Sequence, residues 1–352
     1  MNRGDARRPA LTHLAALTDE VGVIQHATYD IPNRSTGYCT DDVARAFIVT
    51  CLAGSFPALR AEAERLGRIY LSFLFDAQRG DGRFHNFMSY ERRWLDETGT
   101  EDSNGRAIWA LGVGARSARR EGWRELCGSM LAKALPAVSK FRYPRARAFA
   151  ALGIVEAIRA DVEPERGRAL LSQIAEGLQA RFRRERRAGW DWFENELTYD
   201  NARLCEALIR IGSVCEDPEA AELGLRTLRF YERVVFDGAT FVPIGNQGWY
   251  VRGGERALYG QQPLEATATI DAELAAYEAT GDMAHRAFAG RALAWFFGEN
   301  SRGLPLVLGD GCRDGLEAYG PNANMGAEST LAYLAGALVL ARPRRSVVLR
   351  AS

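Results

Sequence analysis

Histidine is scarce in this sequence: the 352 residues hold four, His13, His26, His85 and His285, and none is spaced with a cysteine or an acid as a ligand pair. That excludes a local metal motif, and no metal is expected. The six cysteines (Cys39, Cys51, Cys127, Cys205, Cys215, Cys312) show no CxxC or related spacing, so reduced, mostly buried thiols are expected. Neither sign of charge is in excess, with Lys+Arg and Asp+Glu at 45 each. A nucleic-acid binder held by phosphate neutralisation needs a basic surplus, so that class of partner is set aside. The first residues, "MNRGDARRPALTHLAAL", lack the unbroken apolar stretch of a secretory signal, and no run elsewhere is long enough to cross a bilayer. A cytoplasmic protein without a membrane span is the expectation.

Segments of two kinds alternate along the chain. The first is charge-rich with an apolar stripe, such as Leu59, Ala63, Leu66, Tyr70 and Phe73, or Leu171, Ile174, Leu178 and Phe182. Spacings of three and four put these side chains on one face of an amphipathic helix. The second kind is small-residue-rich and nearly uncharged, as in "ARAFAALGIVEAI" (146–158) and "LAYLAGALVLA" (331–341). Helices apolar on all sides have to be buried.

A polar cluster introduces each buried-type segment: Thr40-Asp41-Asp42, Glu101-Asp102-Ser103-Asn104, Tyr143-Pro144-Arg145, Tyr199-Asp200-Asn201, Gln261 to Glu265, and Gly326 to Thr330. With an amphipathic pattern between successive clusters and one more near residues 9–19, the set comes to about twelve helices in six hairpins. The inner helices are too apolar for the concave face of an open solenoid, and no polar capping repeat is evident. We therefore expect an all-α fold, an (α/α)6 barrel over residues 1–341 with a basic tail at 342–352. Long loops and short β-hairpins should collect on the face where the inner helices begin, and function should sit there.

The motifs "GYCTDDVARA", "TEDSNGRAIWALG", "WDWFENELTYDNARL", "YGQQPLEA" and "NANMGAESTLAYL", in this order, resemble the six-hairpin glycosidase-like superfamily. More closely, the chain looks like the glycosidase-like region that some bacteria carry beside, or fused to, sugar-nucleotide glycosyltransferases. The likeness runs over roughly residues 10–340. It implies a barrel fold, an oligosaccharide or glycan substrate and a glycosyltransferase as a functional partner. It does not fix a reaction, since hydrolases, phosphorylases, lyases and epimerases share the fold. No nucleotide-binding Rossmann half is present, so transfer from a nucleotide donor is not expected, and neither is a cofactor.

Glycoside cleavage uses two carboxyl groups flanking the bond, one as general acid and the other as base or nucleophile. Asp41, Asp42, Glu194 and Glu265 are the candidates. Capping explains a single first-turn acid equally well. At Asp41 and Asp42, Thr40 already supplies an N-cap, so a second adjacent acid calls for a further use, with Arg45 on the same helical face to hold one of them. Glu194 is the expected general acid, because an acid among the aromatics of "WDWFEN" would be raised by desolvation. Asp42 or Asp41 is the expected base, with inversion as the outcome.

Trp190 and Trp192 offer faces for stacking on sugar, or else anchor their loop in the core. Tyr38, Arg45, Asp102, Tyr199, Asp200, Asn201, Gln261, Gln262 and Glu328 lie at the polar helix ends and are expected to meet substrate. His26, His85, Asn246, Trp249, Asn322 and Asn324 sit in loops that face the same side. Arg106, Arg145 and Arg147 are expected to neutralise the acids. An epimerase of this shape would need histidines near the inner helix ends, and the inner helices carry none; epimerase or lyase chemistry would otherwise need a tyrosine at the pocket centre, which Tyr38 and Tyr199 leave open. The rival class is a non-catalytic glycan-binding module.

Overall fold

The computed structural model describes residues 9–342; the basic tail, Arg342 apart, lies outside them. Among the described residues, twelve helices follow in order: α1 (Thr12–Ala16), α2 (Thr40–Ala53), α3 (Arg60–Ala77), α4 (Glu101–Ser117), α5 (Glu121–Val138), α6 (Pro144–Arg159), α7 (Pro164–Glu185), α8 (Ala202–Cys215), α9 (Pro218–Val235), α10 (Pro263–Thr280), α11 (Met283–Trp295) and α12 (Ala327–Ala341). The even-numbered helices pack each on the next, and α12 returns to α2, closing a ring. The odd-numbered helices form the outer layer, with short α1 laid against α12 as the sixth member. The fold is an (α/α)6 barrel.

Composition explains the layering. Outer helix α3 buries Ala63, Leu66, Tyr70, Phe73 and Leu74 from one face and leaves charged residues outside. Inner helices are hemmed in on both sides, and small residues let them approach. Between α4 and α6, a Cβ placed on Gly112 would lie 2.0 Å from the Gly153 carbonyl oxygen, so only glycine permits that crossing.

All six inner helices start at one face, where the long outer-to-inner connections also lie. These connections are fastened by two-residue antiparallel ribbons, among them 38–39 with 87–88 and 196–197 with 250–251. The second ribbon is not a hairpin: Tyr250 and Val251 pair with Leu197 and Glu196, tying two separate connections together. Links at the opposite face are short, such as 216–217 between α8 and α9. Among the described residues, no helix is long and apolar enough to cross a membrane.

Candidate functional site

The start of α2 sets up the site. Its N-cap is Cys39, whose Sγ accepts from the Asp42 backbone N–H, rather than the expected Thr40. The Thr40 hydroxyl instead donates to the His85 carbonyl at 2.6 Å, anchoring the helix start to the loop beside it. Asp42 is buried, receives the Cys39 thiol at 3.1 Å and pairs with Arg45 at 2.9 Å. Burial, opposed by Arg45 and reinforced by Asp41, pushes its carboxyl up to about 6. Asp41 is the more open of the two, with 26% of its side chain exposed. It lies 2.7 Å from Arg106 and 3.4 Å from Arg45, and Arg45 also reaches Glu328 of α12 at 2.9 Å. Two arginines, one from α2 and one from α4, thus join acids of α2 and α12 across the rim.

A second layer lies at the start of α8 and α10. Asp200, buried and held at φ 50°, pairs with Arg106 at 2.5 Å and with Arg203 at 3.8 Å. Burial alone would raise its carboxyl, but Arg106, Arg203 and Arg45 outweigh that and hold it below the ordinary carboxylate range. Beneath it Glu265, 0% exposed, accepts from the Asp200 backbone N–H, from Asn201 and from the Tyr231 hydroxyl. Burial, with Asp200 adding to it, pushes Glu265 up to about 8. On the far side of the rim Arg145 binds Glu194 at 2.8 Å, Asn201 at 3.2 Å and the Tyr199 carbonyl. The Tyr199 hydroxyl donates to Asp102, in the first turn of α4. Burial raises the half-buried Asp102, against that hydrogen bond and the charge of Arg106.

Below this rim runs a cavity of about 1120 Å³ through the middle of the ring. Its lining starts at Arg45, Arg106, Asp200 and Glu328 and continues to Ser55, Arg159 and Glu278, at the other ends of the inner helices. The wall is far from uncharged. Arg203 bonds Glu206 at 2.6 Å and Asp271 at 2.7 Å, while Arg210 bonds Glu206 and Glu278. Arg203, Glu206 and Arg210, three and four residues apart on α8, are the signal that the sequence reading passed over.

Of the residues expected to meet substrate, Arg45, Asp200 and Glu328 line the cavity, and Asp41 and Asp102 reach the rim above it. Others are placed where they cannot serve as expected. Trp190 and Trp192 are buried in the outer layer, edge-on to Phe230 and Phe193 respectively, with Trp192 also stacked on Tyr231, so neither has a face for sugar. Glu194 is held by an arginine instead of being enclosed among aromatics, which removes the reason for assigning it the acid role. Glu265 has no exposed atom and cannot touch a substrate. Tyr38 is buried, its hydroxyl donating to Asp19 at 2.6 Å; Asn201 and Gln261 are buried too, Gln261 accepting from the Trp295 indole.

The loop residues behave as fasteners. Asn322 accepts from the Asn324 backbone and Asn324 from the Tyr29 backbone, both at 2.9 Å. His85 stacks on Trp94 and bonds the Asp96 carbonyl through Nδ1. Trp249 packs half-buried on the core, and Gln262 is the half-buried residue ahead of α10. His26 and Asn246 are exposed at the same face.

Fold and rim together define a class: an (α/α)6 barrel with acids and arginines gathered at the inner helix starts. Solved structures share the fold. A cellobiose 2-epimerase from Bacillus thermoamylovorans B4167 superposes with a TM-score of 0.72 at 12% identity, over 94% of this chain and 96% of the other. A sugar epimerase from a ruminal bacterium gives 0.70 at 12%, over 94% and 95%. A glycoside hydrolase family 76 mannosidase from Bacteroides thetaiotaomicron VPI-5482 gives 0.64 at 6%, over 92% of each chain. No protein-family model and no curated protein matches the sequence. At such identities the likeness is one of fold.

Proposed function

We propose that this protein is a carbohydrate-active enzyme that cleaves a glycosidic bond, by hydrolysis or phosphorolysis and with inversion, at the rim of the barrel. The observation that carries the reading is the sorting of rim acids by environment. Asp41 is partly open to solvent and set between two arginines, whereas Asp102, on the neighbouring inner helix, is raised by burial. An acid and a base in one site need such unlike surroundings. Asp41 is the base that activates the attacking water or phosphate, and Asp102 is the acid that protonates the leaving oxygen. Glu194, expected from sequence to be that acid, orients Arg145. The epimerase and mannosidase of like fold support a sugar as substrate.

Epimerisation is the second reading, favoured by the higher TM-scores of the epimerases. Against it, none of the four histidines lies on an inner helix, and His26 reaches the same face only from a loop. The test is an oligosaccharide panel, with and without phosphate, on wild type and on Asp41→Asn, Asp102→Asn and Glu194→Gln, read by product analysis and by NMR of the anomer first formed. Cleavage lost in the first two and kept within about tenfold in the third is expected. An epimeric product without cleavage would replace the reading. Binding without turnover by wild type would mark a glycan-binding module working beside a glycosyltransferase.

A further inference from the structure

Away from the rim, three ionisable side chains meet between the two helix layers. Glu232 comes from outer helix α9, Glu273 from inner helix α10 and His285 from outer helix α11. One potential ligand atom from each lies within 4.8 Å of the others. His285 Nδ1 is 2.7 Å from Glu273 Oε2 and 3.6 Å from Glu232 Oε1. Glu273 is 0% exposed, and its Oε1, like Oε1 of Glu232, is buried without any N–H or hydroxyl donor, so the two carboxyls have only each other and His285 to bond. A polar atom left bare in a dry interior costs about 1–3 kcal/mol and needs an explanation.

Charge gives one. Without a cation, His285 can answer only one carboxylate and the second needs a proton shared between the two glutamates; Arg229 adds only a weaker attraction at Glu232. A divalent cation neutralises both acids and takes the imidazole nitrogen as a neutral ligand. We propose that Glu232, Glu273 and His285 form a binding site for a divalent transition-metal ion of the Zn²⁺ kind, which staples α9 and α11 to inner helix α10. Mixed carboxylate and imidazole donors suit such an ion better than Ca²⁺ or Mg²⁺, which take oxygen alone. Ligand atoms around tetrahedral zinc stand roughly 3.3 Å apart, given bonds of about 2 Å, so a shift of about an ångström completes the set. Glu232 and His285 are only partly buried, which leaves a route for the ion and a position for water. Histidine spacing conceals this site, because its ligands come from three different helices.

The test is calorimetric titration of ZnCl2 into EDTA-treated, desalted full-length protein, together with thermal unfolding. One ion per chain is expected, with Tm rising by about 4 °C at a hundredfold excess over Kd. Glu273→Gln, and separately His285→Ala, should weaken binding by roughly 100-fold or more. Co²⁺ in place of zinc should show no thiolate charge-transfer band, which separates this site from the six cysteines without any variant. No binding by wild type, a thiolate band, or unchanged binding in Glu273→Gln would overturn the proposal. Turnover at the rim should survive Glu273→Gln.

Discussion

Asp41 and Glu265 are first-turn acids on two inner helices of one ring, at the same face, and their surroundings separate them completely. Asp41 keeps a quarter of its side chain in solvent and sits between Arg106 and Arg45. Glu265 is roofed by Asp200, Asn201 and Tyr231, has no exposure and no arginine bonded to it, and is pushed up to about 8. A repeating architecture offers the same position six times. What covers the position decides whether its acid faces a substrate or holds the wall together.

The sharpest way to break this comparison is to neutralise each acid in turn. Asp41→Asn should lower turnover by about 10³-fold with the melting temperature nearly unchanged, as expected for loss of a general base. Glu265→Gln should alter turnover by less than about tenfold. Equal losses in the two variants, measured as kcat/KM on one substrate, would place both acids in the same role.

Next in size is the arginine shared between the open acid and the buried layer. Arg106 is buried and joins Asp41 to Asp200. Arg106→Ala leaves Asp200 with Arg203, at 3.8 Å, and the more distant Arg45, and should cost about 3 kcal/mol in urea unfolding, because a poorly compensated buried charge is left. A loss under about 1 kcal/mol would show that Asp200 does not depend on this partner.

The six inner helix starts were legible because each combines a polar cluster with an abrupt change of hydrophobic period. Alternation of striped and apolar helices carries the ring. The site was legible only in part. "WDWFEN" reads alike whether its tryptophans stack on a pyranose or on Phe230 and Tyr231, since both surfaces are apolar and flat. Asp41 and Asp42 differ in what each meets: Arg106 of α4 for one, and for the other Cys39, the N-cap of its own helix, a bond that the Thr40 cap expectation hides. The charged wall at Arg203, Glu206 and Asp271 is hard to read from sequence because its residues come from two helices, α8 and α10, that otherwise bury mostly small and apolar side chains. Glu232, Glu273 and His285 converge only once α9, α10 and α11 are packed.

Glu265 also predicts a pH dependence. Its carboxyl rises from an ordinary 4.5 to about 8 in the folded protein, so the native state holds the proton over a window where the unfolded chain has released it. Stability from this group is therefore full below about 4.5 and is lost as pH climbs towards 8, by a few kcal/mol. In Glu265→Gln that loss is absent. The wild-type-minus-variant difference in urea unfolding should become more negative from pH 5 to pH 8; a flat difference would mean the carboxyl is not raised.

The smallest effect separates the two neighbours at the start of α2. Asp42 moves from 3.8 to about 6, mainly through burial, partly offset by Arg45 and reinforced by Asp41. The sign is the same as for Glu265 and the window narrower: stability falls between about pH 4 and 6 and stays at its lower value above. Asp42→Asn keeps an acceptor for Arg45 and removes the charge that burial penalises. It should match wild type at pH 4 and exceed it by on the order of 1–2 kcal/mol at pH 7.5. With Asp41 still in place, KM and kcat should each stay within about tenfold. A variant less stable than wild type at pH 7.5 would mean that the Arg45 ion pair outweighs desolvation. Loss of turnover equal to that of Asp41→Asn would move the base one residue along the helix.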